Sequence, residues 1–203
     1  PLPGQHIHPR PLAAGLDDRQ DARRASVGDD LESGHELRLP DMTSGERTHD
    51  IVLFGASGFV GKLTASQLAE QAPDGTRIAL AGRSQAKLEA VRAGLGPGAK
   101  DWPILIADAN DEQALTELAS STTVVVTTVG PYAKFGMPLV AACAAAGTHY
   151  ADLTGEVLFV RRSADSYHEE AERTGAEIVH ACGFDSIPSD LGVLLTAERA
   201  AAD

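Results

Sequence analysis

A doubly wound α/β fold of the dinucleotide-binding (Rossmann) type is predicted from three observations. Short apolar runs alternate with longer amphipathic stretches, the runs are continuously aliphatic, and the first of them ends in a glycine-rich turn. Strands covered on both faces of a parallel sheet read as continuous apolar runs. Strands alternating with helices give parallel neighbours joined by crossover helices.

The strand-like runs are Ile51–Phe54, Arg77–Ala81, Ile104–Ala107, Val124–Thr127, His149–Asp152 and Glu177–Ala181. Helices are expected near 60–72, 84–94, 111–119, 136–146, 156–174 and 188–201. In the fourth, Pro138 falls near the expected start and Gly147 just past the end, the usual polarity of a helix.

The chain has 203 residues, 43% of them hydrophobic, enough for one domain with a buried core. The net charge of −12 argues against nucleic acid and against electrostatic docking on anionic lipid, because both need a basic surface. Cys143 and Cys182 share no CxxC or CxxH spacing, so no zinc site is read and free thiols are expected. No run approaches the ~20 apolar residues of a membrane helix, and no basic-then-apolar leader is present. The expected compartment is the cytoplasm.

Residues 1–49 carry Pro1, Pro3, Pro9, Pro11 and Pro40, no aromatic residue and no periodicity, and are expected not to fold. The first methionine is Met42. Residues 1–41 therefore read either as an extension upstream of a natural start at Met42 or as a disordered tail, with His6 and His8 as solvated tail residues. The folded domain is expected over 50–203.

The turn reads Gly55-Ala56-Ser57-Gly58-Phe59-Val60-Gly61. Gly55 permits a sharp turn, Gly58 lets backbone approach a pyrophosphate, and Gly61 lets the helix pack close on the strand. The helix amino terminus then offers free N–H groups to phosphate. The context of strand, turn and helix in the first βαβ unit makes the motif informative. Its GxxGxxG spacing leans toward NADP.

In NAD-specific domains a carboxylate ends the second strand and holds the ribose 2′-OH. Here that strand ends in Gly82-Arg83-Ser84, with Arg83 lying 22 residues past Gly61 and no carboxylate at the position. Arg83 offers a planar donor fork to a 2′-phosphate, Ser84 a hydroxyl and a helix cap, and Lys87 a second positive charge one turn later. Asp108, closing the third strand, reads equally as a border of the adenine or as a turn residue with Asn110 and Asp111.

On the nicotinamide side the fourth strand runs into Thr127-Thr128-Val129-Gly130-Pro131-Tyr132. Val129, Gly130 and Pro131 are expected to border the cofactor at a tight, rigid turn. The ends of the fifth and sixth strands add Asp152, Glu156, Cys182 and Asp185, because all carboxyl ends converge on one edge. The catalytic group is left open, with Tyr132, Cys182 and Asp185 as candidates. Asp152, Glu156 and Asp185 read equally as caps or turn braces, Tyr132 as packing and Cys182 as core. Cys143 reads as core, and His149 and His180 as satisfied interior histidines.

These segments, with Tyr150–Glu156 and Ala181–Leu191, resemble the NADP-binding half of saccharopine-dehydrogenase-like proteins, and among them the trans-acting enoyl reductases. The resemblance covers 50–195 and implies NADP(H) as cofactor. It also implies reduction of a carbon–carbon double bond on an acyl or polyketide lipid intermediate, with a polyketide synthase as a partner. A saccharopine-type amino-acid oxidoreductase and a non-catalytic nucleotide-binding scaffold are the alternatives. Family members carry a second, substrate-closing domain of about equal length. The chain ending at Asp203 is therefore expected to be truncated before it, and to bind cofactor without turnover.

Overall fold

In a computed structural model of the protein, residues 47–202 are described. The readings of His6, His8 and Met42 lie outside them. The strands are β1 (His49–Phe54), β2 (Ile78–Gly82), β3 (Ile104–Ile106), β4 (Thr122–Thr127), β5 (His149–Asp152) and β6 (Ile178–Val179). The helices are α1 (Phe59–Gln71), α2 (Gln85–Gly94), α3 (Glu112–Ser120), α4 (Tyr132–Ala146), α5 (Val157–Thr174) and α6 (Ile187–Ala202).

The strands form one parallel sheet in the order β3-β2-β1-β4-β5-β6. This is the doubly wound dinucleotide-binding order, with its switch point between β1 and β4. Alternate side chains of β1 feed two cores. Val52 and Phe54 pack with Leu115, Leu139, Tyr150 and Phe159 under α3, α4 and α5. Leu53 packs with Ala65, Leu80, Leu88 and Trp102 under α1 and α2. Burial on both faces is why the strands read as continuous apolar runs.

Two expectations need correction. The fourth helix begins at Tyr132 rather than near residue 136, and Pro138 lies inside it. The Glu156 carboxylate accepts the Tyr132 and Ala133 amides at 2.7 and 2.8 Å, which starts the helix a turn before the proline. Order also begins before Asp50, because His49 opens β1 and Arg47 is already bound into the fold. Gly147 ends α4 in the left-handed conformation at φ 66°, as its position suggests.

Arg47 acts at the amino-terminal edge of the sheet. Its Nη1 donates to the Ala119 carbonyl at 3.0 Å and also to Thr122 O and Thr148 Oγ1. Its Nη2 donates to the Ala146 carbonyl at 2.7 Å. One guanidinium thus ties the α3–β4 corner to the α4–β5 corner. Arg77 continues the network, donating to the Arg47 carbonyl at 2.6 Å and pairing with Asp50 at 2.6 Å.

The last helix behaves differently. Leu191, Val193, Leu194 and Leu195 of α6 are 50–71% exposed, so this helix shares little of either core.

The Arg47 network predicts a stability effect. Arg47→Ala removes charged hydrogen bonds and strands carbonyls, costing about 1.5–3 kcal/mol, or roughly 3–12 °C in melting temperature for a domain of this size. Thermal denaturation followed by circular dichroism checks it. A midpoint unmoved by Arg47→Ala would show the clamp to be dispensable.

Candidate functional site

The site begins with the first helix lying unusually close to the strand before it. A Cβ on Gly61 would overlap the Gly55 carbonyl oxygen and come within 2.8 Å of Ala56 Cα. Gly55 itself stands at φ +92°, and a Cβ there would meet Thr128 Oγ1 at 2.7 Å and Val129 Cγ2 at 2.8 Å. Around Gly58 the nearest atom to a Cβ is the Gly55 oxygen, at 3.3 Å, so its outer side is open.

The first i→i−4 bond of α1 runs from Lys62 N to Gly58 O at 3.0 Å. The amides of Phe59, Val60 and Gly61 precede it and have no partner within the helix. They lie at the positive end of the helix dipole. Bare backbone beside free amides is the arrangement that accepts a phosphate, so these residues fit a dinucleotide.

A cavity of ≈ 240 Å³ opens over this turn at the switch point. Of the residues expected to hold cofactor, Gly55, Ser57, Gly58, Arg83, Asp108, Val129 and Gly130 line it together. Ala56 is fully buried and Gly61 buried, leaving them a backbone role. Phe59 is exposed and lines neither this cavity nor a second one, which Val60 lines. Ser84 and Pro131 flank the lining: Ser84 is the N-cap of α2 without a side-chain capping bond, and Pro131 is that of α4.

Lys87 departs from expectation. It lines a different groove, of ≈ 620 Å³ between α1 and α2, with Lys62 and Ser66, and only Ser57 is common to both cavities.

Although no carboxylate stands at the Arg83 position itself, the fold brings one beside it. Asp108 Oδ2 lies 3.9 Å from Arg83 Nε, since the tips of β2 and β3 are neighbours in the sheet. Asp108 Oδ1 also accepts the Asn110 amide at 2.9 Å and its side-chain nitrogen at 2.8 Å. The Asn110 bonds, with Arg83, hold the carboxyl below its ordinary value. Asp108 is therefore a turn residue and a cavity wall at once. Asp111, next to it, caps α3 through the Ala114 amide at 3.1 Å.

A second cavity, of ≈ 420 Å³, lies over the ends of β4 and β5 and is lined by Val60, Thr128, Cys182, Phe184 and Asp185 among others. Of the three catalytic candidates, Cys182 and Asp185 face it. Tyr132 is absent from its lining, and its hydroxyl donates to the Thr127 carbonyl at 3.1 Å. Burial pushes that hydroxyl up to about 12, which keeps it protonated near neutral pH. Glu156 serves as the cap of α4 described above. Cys182 is exposed rather than core, whereas Cys143 is fully buried, its thiol pushed up to about 12 by burial.

Beneath the second cavity lies a network that no sequence motif announced. The Asp152 carboxylate accepts Tyr150 Oη at 2.8 Å, His180 Nδ1 at 2.7 Å, the Thr154 amide at 3.0 Å and the Ala181 amide at 3.1 Å. His180 Nε2 meets Ser163 Oγ at 2.9 Å. Burial alone would raise the Asp152 carboxyl, but the hydrogen bonds from His180, Thr154 and Tyr150 outweigh it and hold the group below its ordinary value. An ionised carboxylate only accepts, so the hydrogen-bond pattern assigns the His180 proton to Nδ1.

Ser163, His180 and Asp152 have the order of a nucleophilic triad without its setting. Ser163 is 2% exposed in the middle of α5, where the surrounding amides are spent on the helix and none is left for an oxyanion. His149 is satisfied too, its Nδ1 accepting the Glu177 amide at 3.1 Å. Among the described residues no group of side chains could hold a metal, and no helix is long and apolar enough to cross a membrane.

Residues 51–179 match the family described as Saccharopine dehydrogenase NADP binding domain. A trans-acting enoyl reductase of Mycobacterium ulcerans is 58% identical over 162 residues, which is 80% of this chain and 38% of that protein. A trans-acting enoyl reductase of Mycobacterium tuberculosis is 57% identical over 162 residues, with the same 80% and 38% shares. The chain thus spans well under half the length of these relatives. Among solved structures, saccharopine dehydrogenase (L-Glu forming) from Saccharomyces cerevisiae superposes with a TM-score of 0.61 at 20% identity, covering 74% of this chain and 31% of that one. That likeness concerns the fold.

The lowered Asp152 carboxyl sets a pH dependence. A group whose folded pKa lies below its unfolded value stabilises the fold above the unfolded value, and that stability is lost as pH falls through the folded one. The melting temperature is expected to fall as pH drops below about 4. In Asp152→Asn the dependence should be shallower by about one linked proton. Parallel acid slopes for the two proteins, measured by thermal melts from pH 7 to 3, would contradict the assignment.

Proposed function

The chain belongs to the family of saccharopine dehydrogenase NADP binding domains, and on that premise we propose that residues 50–203 hold the cofactor of an NADPH-dependent oxidoreductase of the trans-acting enoyl reductase kind. The observation that carries the reading is the cavity at the switch point. It joins open glycine backbone, orphan helix amides and a guanidinium at the tip of β2.

The residues divide the work by position. Gly55, Gly58 and the amides of Phe59, Val60 and Gly61 take the pyrophosphate. Arg83 takes the 2′-phosphate, with Ser57 and Ser84 beside it, and Lys87 adds positive potential from the adjoining groove. Asp108 and Asn110 border the adenosine end. Ala56 supports the turn from below, and Val129, Gly130 and Pro131 border the other half of the cofactor.

When bound, NADPH supplies a hydride to the double bond of an enoyl substrate. The proton that completes the reduction is assigned to the second cavity, where Cys182 and Asp185 are the candidate groups. Tyr132 is set aside for this role because its hydroxyl is committed to a backbone carbonyl. The substrate is a carrier-bound acyl or polyketide chain of lipid biosynthesis, a polyketide synthase is the partner that presents it, and the cytoplasm is the compartment. The names of the 57–58% identical relatives, trans-acting enoyl reductases, support the enoyl reduction in trans.

Cofactor choice tests the reading directly. Fluorescence titration should give tighter binding of NADPH than of NADH, and Arg83→Ala should shrink that gap. Hydrogen bonds to charged groups are worth about 1.5–3 kcal/mol, so NADPH binding is expected to weaken by about tenfold or more with NADH little changed. Equal weakening of both cofactors would remove Arg83 from the 2′-phosphate.

A further inference from the structure

The sheet ends abruptly at the edge that carries the second cavity. Strand β6 has two residues, paired to β5 as Tyr150↔Ile178 and Ala151↔Val179. Beyond Val179 the ladder stops, and the chain must reach Cys182 and Asp185 without it. The next three residues are nevertheless fixed, and all three are fixed by Asp152. Its Oδ2 holds the His180 ring at 2.7 Å, its Oδ1 holds the Ala181 amide at 3.1 Å, and its main-chain oxygen holds the Cys182 amide at 2.7 Å.

The middle residue is strained. Ala181 stands at φ 59°, and it is the only described non-glycine residue with a positive φ. Such a conformation persists in a residue with a Cβ only where the surroundings over-determine it. Here the surroundings are one buried carboxylate with 0% side-chain exposure, itself steadied by Tyr150 and, through His180, by Ser163. Past the strained residue the chain closes on itself. Ser186 and Ile187 donate to the Gly183 carbonyl at 3.0 and 3.1 Å, and the Asp185 carboxylate folds back over Gly183.

We propose that Asp152 is a positioning residue: through His180 and the 181–182 backbone, it sets where Cys182 and Asp185 stand in the second cavity. Its purpose rests on the reading of that cavity as the reacting end of the site, but its geometry does not. Asp152 exerts no chemistry itself, because each of its oxygens is already satisfied by protein donors. What it controls is the turn, and a turn released from it would swing both candidate groups together.

The two cysteines provide the test within the 203-residue chain. Cys182 lies on the turn, with its Sγ 3.5 Å from the Val179 carbonyl, and Cys143 lies fully buried in α4. Alkylation by iodoacetamide at pH 8, quantified for each cysteine by peptide mass spectrometry, separates local release from global opening. Asp152→Ala is expected to accelerate modification of Cys182 by about tenfold, the equivalent of losing one hydrogen bond to a charged group, while Cys143 stays protected. Asp152→Asn, which keeps a carbonyl oxygen for the Thr154 and Ala181 amides, is expected to recover most of the original rate. An unchanged Cys182 rate in Asp152→Ala, parallel acceleration of both cysteines, or an Asn variant as fast as the Ala variant would each overturn the proposal. If Asp152→Ala does not fold, His180→Ala decides by the same ratio: selective acceleration of Cys182 supports the proposal and any other pattern overturns it. NADPH titration of the unsubstituted chain reports separately on the cofactor reading, so the two can fail independently.

Discussion

Everything at the cofactor edge depends on the contact between the start of α1 and the end of β1. Gly61 rests on the Gly55 carbonyl and on Ala56 Cα at a distance that excludes any side chain. That contact aims the helix terminus, and with it the amides of Phe59, Val60 and Gly61, over the crevice between β1 and β4. The opposite wall then closes by hydrogen bonds of the next central strand: Thr128 donates its amide to Phe54 O at 2.9 Å and its hydroxyl to Gly55 O at 3.2 Å. A cavity of fixed shape follows from main-chain contacts, with few side chains required to shape it.

The second cavity is organised on a different principle. Its shape rests on a buried charge with a complete set of donors, at the edge where the sheet has run out of ladder. A buried carboxylate is tolerable only when every lone pair is engaged. Satisfying Asp152 therefore requires Tyr150, Thr154, His180 and Ala181 to stand where they do. Placement of the 180–182 turn and solvation of the carboxylate are one problem with one solution.

What could be read from the sequence was whatever depends on local pattern. The strands were legible because burial on both faces leaves uninterrupted aliphatic runs, and the glycine turn because its constraint lies within seven residues. The start of α4 was misjudged because its cap, Glu156, lies 24 residues beyond Tyr132, so Pro138 was the visible signal. The Arg83–Asp108 approach follows from β2 and β3 being neighbours, a fact of topology rather than of spacing. Arg47 reaches carbonyls 72 and 99 positions away, and His180 reaches Ser163 and Asp152 across 17 and 28. Each was visible as a residue and invisible as a contact. The division of roles among Tyr132, Cys182 and Asp185 turned on one hydrogen bond, from Tyr132 to Thr127 O, which no composition or period records.

The strand order carries a consequence in time. In β1, Ile51 pairs with Ile78 on one side and with Val124 on the other, so its partners lie 27 and 73 residues downstream. During synthesis at about 5–20 residues per second, the second partner trails the first strand by roughly 4–15 s. For that interval β1, with Val52, Leu53 and Phe54 destined for burial, has at least one unpaired edge. Such an edge is a template for the wrong chain as readily as for the right one. The winding that places the cofactor crevice at the centre of the sheet thus leaves its central strand waiting longest on the ribosome.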